Sequence, residues 1–228
     1  MTSPWRSFPT SAMPKPVSSN GDVQIRSTRS GGLCTVTGEP MVPRDRSQPR
    51  LANVSDAPAI AALHAESWRR FYRGAYSDAF LDGDVLTDRS AVWARRLRDA
   101  LSDTCTIVAE DDEKLLGFGH VVFDADPTWG ALLDNLHVTY REQGAGIGSR
   151  LLAELAAAVV ERSTTSGLYL WVLEQNTAAQ AFYRARGGTV VEQVPADPPG
   201  GIPGRLNGTP TKLRCVWPEP AALLRYRR

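Results

Sequence analysis

The sequence predicts an α/β protein of the α+β kind, with a mixed central sheet of about six to seven strands flanked by about four helices. Three observations carry this expectation. Residues 106–110, 115–124 and 131–138 read as consecutive short strands joined by polar or glycine-bearing turns. A glycine-rich bend then opens a helix over 149–162, whose Leu151, Leu152, Leu155, Ala156 and Val159 recur at the spacing of one buried face. The apolar segment 168–173 follows at once, so the helix serves as a crossover into a further strand.

Taken in order, residues 1–48 are rich in Pro, Ser, Thr, Gly and Arg and have almost no periodic apolar positions. They cannot bury enough surface to offset the entropy of ordering, and a disordered tail is expected. Met41 lies just before the first structured segment, so translation from there and a natural flexible tail are both compatible with the pattern. The expected domain covers 49–217, with a C-terminal tail over 218–228. It begins with a short strand within 50–56 that runs into a helix, with Ser55 or Asp56 as cap and Pro58 in the first turn. Ile60, Leu63, His64, Ser67, Trp68 and Phe71 share one face of that helix. A second helix is expected over 88–101, where Val92, Trp93, Arg96, Leu97 and Ala100 fall at helical intervals. The polar turn Asp111-Asp112-Glu113-Lys114 makes a hairpin of the next two strands. Asn176 caps a later helix that stops just before Gly187. Segments 189–194 and 211–217 form a last antiparallel pair, and the Pro- and Gly-rich connection 195–210 is long enough to reach over a pocket. Its Arg205 is expected to be solvated rather than to contact a ligand.

Composition limits the function. A net charge of +1 argues against nucleic-acid binding by charge alone. Cys34, Cys105 and Cys215 are too few and too scattered for a disulfide scaffold or a metal site, which points to a reducing cytoplasm and no metal. No apolar run approaches the roughly 20 residues that cross a bilayer, and the N-terminus lacks a secretory h-region.

The chemistry gathers around 136–152, LHVTYREQGAGIGSRLL. Gly144, Gly146 and Gly148 let the backbone approach a ligand where a helix begins, and the unpaired N–H groups and dipole there suit an anion such as phosphate. A P-loop is excluded because no Lys follows these glycines. The dinucleotide fingerprint GxGxxG also fails, since Ser149 or Leu151 stands at its third glycine. What remains is Q-x-x-G-x-G, Gln143 to Gly148, after the strand residues Leu136, His137 and Val138. This resembles the acetyl-CoA signature of the GNAT superfamily of N-acetyltransferases, with Tyr140 where that family often has proline. A second motif, N-x-x-A-x-x-F-Y-x-x-x-G over Asn176, Ala179, Phe182, Tyr183 and Gly187, resembles the other half of the family's cofactor site.

The resemblance implies the GNAT fold, acetyl-CoA as cosubstrate and transfer of its acetyl group to an amine in a ternary complex. It implies a cofactor site of Leu136, His137, Val138, Gln143, Gly144, Ala145, Gly146, Ile147, Gly148, Ser149, Asn176, Ala179 and Phe182. Tyr183 is implied as the acid that protonates the leaving thiolate, and the Val138 N–H as a donor to the oxyanion. Of the aromatic stretch near the acceptor, Tyr72 and Tyr76 are the expected pocket residues, with Trp68 and Phe71 in the core. Gly187-Gly188 stands where the family usually has Gly-Phe, so a packing contact is expected to be missing. An attacking amine must lose a proton, and Asp134 is the first candidate base. It lies on the strand with Leu132, Leu136 and Val138 on its face and His137 opposite. His120 and Glu174 are substitutes. Cys105 and Cys215 are read as strand residues, not nucleophiles. A CoA-binding sensor without transferase activity is the alternative. The acceptor is not readable; partners are acetyl-CoA and an amine, without nucleic acid or membrane, and a homodimer is compatible with the family.

Overall fold

A computed structural model describes residues 48–227, apart from Ala100 and Glu113. The expected tail over 1–48 lies almost wholly outside the described residues. One seven-stranded sheet runs in the order β1-β2-β3-β4-β5-β7-β6. Its strands are β1 (Arg50–Leu51), β2 (Thr104–Asp111), β3 (Lys114–Asp126), β4 (Gly130–Val138), β5 (Leu168–Leu173), β6 (Thr189–Pro195) and β7 (Thr211–Trp217). The helices are α1 (Ala57–Phe71), α2 (Asp78–Asp82), α3 (Val85–Arg98), α4 (Ile147–Arg162) and α5 (Thr177–Arg184). All pairs are antiparallel except β4 with β5, where the α4 crossover makes the ladder parallel. Among the described residues no helix is long and apolar enough to cross a membrane.

Two helical layers cover the sheet. On one face α4 buries Leu151, Leu152, Leu155 and Val159 against Val121, Leu133, Leu168 and Leu170. Each fully buried leucine contributes about 1.5–3 kcal/mol, and this face fixes where the glycine bend must lie. The helix comes close enough that a Cβ on Gly119 of β3 would stand 2.4 Å from Leu155 Cδ1. On the other face α1 and α3 pack Ile60, Leu63, Trp93 and Leu97 on Val108 and Phe118. The connection from α4 to β5 is held by Asp124, whose carboxylate accepts from the backbone and hydroxyls of Thr164 and Thr165 at 2.6–3.2 Å.

Several expectations change at this level. The strand before α1 shrinks to two residues, because Asn53 starts a capping box with Asp56. The second expected helix begins earlier, at Val85, and the five-residue α2 precedes it. The connection after β6 is tied down along its length. Arg205 O accepts from Ser77 N at 2.9 Å, Asn207 N donates to Ala75 O at 2.8 Å, and the Arg205 guanidinium pairs with Asp88 at 2.7 Å while lying over Phe80. Arg205 is therefore a strut of the α1–α3 layer, not a solvated charge. No packing contact is missing at Gly188: the Trp217 ring fills the space, and a Cβ there would fall 2.7 Å from Trp217 Cζ2 and 2.6 Å from Cys215 Sγ. Residues Pro220–Tyr226, expected as tail, form a 3-10 turn whose Leu223 is buried against the α4 core.

Candidate active site

The β4–β5 ladder stops after two residue pairs, Ala131 with Leu168 and Leu132 with Tyr169. Beyond them the strands diverge, and a cavity of about 310 Å³ opens between them. Leu136, His137 and Val138 of β4 form one wall and Trp171 and Val172 of β5 the other. Gln143, Gly144, Gly146, Gly148 and Ser149 close one end; Asn176, Ala179, Phe182, Tyr183 and Arg186 line the side of α5; Ser67, Phe71 and Tyr72 bring in α1. Two motifs about 30 residues apart in sequence thus meet across one cleft.

The glycine loop is shaped as the sequence suggested. Gly146 caps α4 with φ +85°, a left-handed conformation that disfavours any side chain. Ile147 and Gly148, at the first two helical positions, have no intrahelical acceptor for their N–H groups. Asn176 Oδ1 accepts from Ala179 N at 3.2 Å, so the residue caps α5 while also lining the cleft. Two expected cofactor residues lie off the wall: Ala145 is outside it, and Ile147 is only 4% exposed because its side chain joins the core.

A bulge rearranges the catalytic candidates. His120 pairs with Asn135 but Val121 pairs with Leu133, so Asp134 is an extra residue in β4. One inserted residue inverts the alternation of side chains on either side of it. Leu133, Leu136 and Val138 consequently share the α4 face, while Asp134 and His137 turn to α1 and α3. The expectation that Asp134 shares a face with Leu136 and Val138, opposite His137, is corrected. Asp134 pairs with Arg96 at 2.8 Å, accepts from Asn135 Nδ2 at 2.6 Å and does not line the cleft. Burial works to raise its pKa, but Arg96, His120 and Arg89 together bring it below the ordinary carboxylate value. His137 does line the cleft, and burial pushes its imidazole down to about 4, with Asp134 opposing and Arg89 assisting.

The same ladder orients the backbone. Thr139 N donates to Leu116 O at 2.8 Å, so the alternation of antiparallel bonds turns the N–H of Val138 away from β3 and toward the gap beside β5. Tyr183 borders the gap at 9% exposure, and burial first, then Tyr72 and Cys215, raise its pKa well above the phenol value. It stays protonated at neutral pH.

The other candidates separate. Tyr72 is on the wall, whereas Tyr76 packs behind it against Tyr72 and Trp68. Phe71, expected in the core, lines the cleft. His120 is buried and bonds Thr106 Oγ1 at 2.8 Å, and Glu174 bonds Gln193 and Thr211 at the surface, so neither reaches the cleft. Cys105 and Cys215 are buried with raised thiol pKa values, unlike nucleophiles. Sequence reasoning missed Ser67, Trp171 and Arg186. Arg186 donates from Nε to Ser149 Oγ at 2.9 Å and from Nη1 to Phe182 O at 2.9 Å, stacks on the Phe182 ring at 3.7 Å, and meets no carboxylate among the described residues. Its one sequence signal is its place four residues after Phe182, just past the end of α5. The cleft thus offers a helix N-terminus suited to an anion, a protonated phenol and a neutral imidazole on its wall.

The model of the acetyltransferase (GNAT) family matches residues 61–187. The chain belongs to the GNAT family. This acetyltransferase matches no curated protein in sequence. Its fold is shared with solved structures. PaiA N-acetyltransferase from Thermoplasma acidophilum in complex with coenzyme A aligns at 20% identity and TM-score 0.57, covering 73% of this chain and 96% of that one. Ribosomal-protein-alanine N-acetyltransferase from Brucella melitensis aligns at 23% and 0.54, covering 74% and 98%. The yncA acetyltransferase from Salmonella typhimurium, solved with acetyl-CoA, aligns at 19% and 0.53, covering 75% and 93%.

Proposed function

We propose that this chain moves the acetyl group of acetyl-CoA to a primary amine by direct attack in a ternary complex. The observation that carries the reading is a single cleft joining the glycine loop to Tyr183 through the gap between β4 and β5. The residues suit the cosubstrate. Arg186, which meets no carboxylate among the described residues, and the open N–H groups of α4 are fit to receive phosphate oxygens. An added Cβ on Gly144 or Gly146 would meet nothing within 4 Å, which leaves room for a ligand against the backbone. The complexes of PaiA with coenzyme A and of yncA with acetyl-CoA support the same ligand here.

In the proposed reaction the amine lone pair forms a bond to the thioester carbon. Val138 N–H donates to the carbonyl oxygen as it gains charge. The C–S bond then breaks, and Tyr183 gives its phenolic proton to the departing thiolate. Asp134 acts by its charge on His137 and Tyr72, while its Oδ2 is held by Arg96 and Asn135.

The test is calorimetric titration of acetyl-CoA into the full chain, followed by thiol release in the presence of amines. Micromolar binding and amine-dependent release support the reading; absence of binding sinks it.

A further inference from the structure

The acceptor end of the cleft is bounded by Ser67, Phe71, Tyr72, His137 and Trp171, none of which carries a carboxylate. Among the described residues the one acidic side chain on the cleft wall is Glu142, at the glycine-loop end. The carboxylates behind the acceptor wall are already neutralised. Arg96 pairs with Asp134 at 2.8 Å, and Arg89 and Arg205 share Asp88. The Trp171 ring could otherwise bind an ammonium on its face, but Lys212 Nζ lies over it at 4.6 Å and Arg214 Cζ at 4.4 Å.

What the wall offers instead is a lone pair. Among the described residues the ring nitrogens of His137 have no hydrogen-bond partner. Behind it, at 4.6 Å between ring centroids, His64 accepts from Trp93 Nε1 at its Nδ1, 3.0 Å away. The His64 proton must then sit on Nε2, which is buried without an acceptor. A second proton on His64 would cost the Trp93 bond as well, so a proton arriving at His137 has no onward route inside the protein.

We infer that the acceptor is an amine of low basicity, an α-amino group or an aryl amine rather than a lysine side chain or a polyamine, and that it enters as the free base and passes its proton to His137. The inference rests on the acetyl-transfer reading above. As the nitrogen lone pair forms the C–N bond, the N–H bond breaks toward the His137 imidazole; His137 later releases the proton to solvent through the cleft. His137 faces His64 from α1, Arg89 from α3 and Asp134 from its own strand, while Arg96 from α3, His120 from β3, Tyr72 and Tyr76 act on Asp134 in turn. Burial, opposed by Asp134 and assisted by Arg89, holds His137 down to about 4, and the same burial disfavours an ammonium beside it. An α-amine at about 7.7–8.0 yields its free base at pH 7 far more readily than a lysine at about 10.4, by roughly 300-fold.

The experiment uses the full chain and acetyl-CoA with four acceptors: a dipeptide blocked at its C-terminus, an arylamine, spermidine and Nα-acetyl-lysine amide. Transfer to the dipeptide or the arylamine at pH 7, at least about 100-fold above the strong bases, is expected. His137→Gln should lower that turnover at saturating acetyl-CoA about 10²- to 10⁴-fold, and its residual rate should climb with pH. Spermidine or lysine used as well as the α-amine, turnover kept in His137→Gln, or transfer to none of the panel overturns the inference. The panel needs no variant, so misfolding of His137→Gln leaves it decisive. Acetyl-CoA binding in the same samples separates these failures from failure of the parent reading.

Discussion

Replacing Gly148 by valine separates the proposed cofactor role of the cleft from the fold. Gly148 is the second residue of α4, and its backbone is not in the left-handed region, so a side chain brings no conformational strain. Its added Cβ would stand 3.3 Å from Cε2 and Cζ of Phe182 and 3.5 Å from Val138 Cγ2. The two further methyl groups of valine must enter the space between α4, α5 and β4, which is the cleft. Valine is a better helix residue than glycine by a few tenths of a kcal/mol, and this offsets part of the crowding in the free protein. Urea unfolding should thus change by less than about 1 kcal/mol. Overfilling costs about 1–3 kcal/mol when the space must also take a ligand, so acetyl-CoA affinity should fall roughly 5- to 150-fold. Calorimetry gives the affinity. Gly119→Val is the control with the opposite signature: its Cβ would lie 2.4 Å from Leu155 Cδ1, so unfolding should move and direct blockage of the cleft should not occur. Unchanged acetyl-CoA affinity in Gly148→Val would refute the assignment of this wall to the cofactor.

Tyr183→Phe should leave acetyl-CoA affinity within about threefold and lower kcat about 10²- to 10⁴-fold; an equal loss in affinity would mark the hydroxyl as structural. Arg186→Gln should weaken acetyl-CoA about tenfold, the worth of a charge-assisted hydrogen bond, yet leave acetyl-pantetheine, which has no phosphates, unaffected. Equal weakening of both ligands contradicts a phosphate contact. Asp124 is held well below the ordinary carboxylate pKa of about 3.9 by the hydroxyl and N–H of Thr165 and by Thr164. Its contribution to stability is therefore present above that value and lost as pH falls toward the folded pKa. Asp124→Asn should flatten the acid limb of a stability profile measured below pH 4; an unaltered limb rules out this clamp as its source.

The sequence made the glycine-loop end of the cleft legible and the β4 and α1 walls much less so. Leu151, Leu152, Leu155 and Val159 repeat at helical intervals because α4 buries one face, and the glycines before it are required by local backbone geometry; both causes act within a few residues. Asp134 is different. Whether it faces α4 or α3 depends on a residue inserted relative to β3, and nothing in 131–138 alone reveals the register of its partner strand. Arg205 and Trp217 fail to announce themselves for the same reason, since their partners Asp88 and Gly188 lie far away in sequence or across a strand. Helix α2, at five residues, is too short for periodicity to register. Phe71 and Tyr76 exchange their expected places because a helix end decides which of them reaches the cleft: α1 stops at Phe71, and the chain turns before Tyr76.

The filling of the space at Gly188 by Trp217 makes two distant positions one heritable unit. The indole also donates to Arg186 O at 2.9 Å and meets the Tyr183 ring edge-on at 5.9 Å, so the swap holds the backbone that carries both cleft-lining side chains. A bulky residue cannot enter at 188 by a single substitution, because it would collide with Cys215 and Trp217. Nor can Trp217 be trimmed first without leaving a void beside Tyr183. A chimera that borrows α5 and its following turn from a relative while keeping β7 should therefore lose its fitted contact, whereas a graft that carries 182–217 intact should keep it.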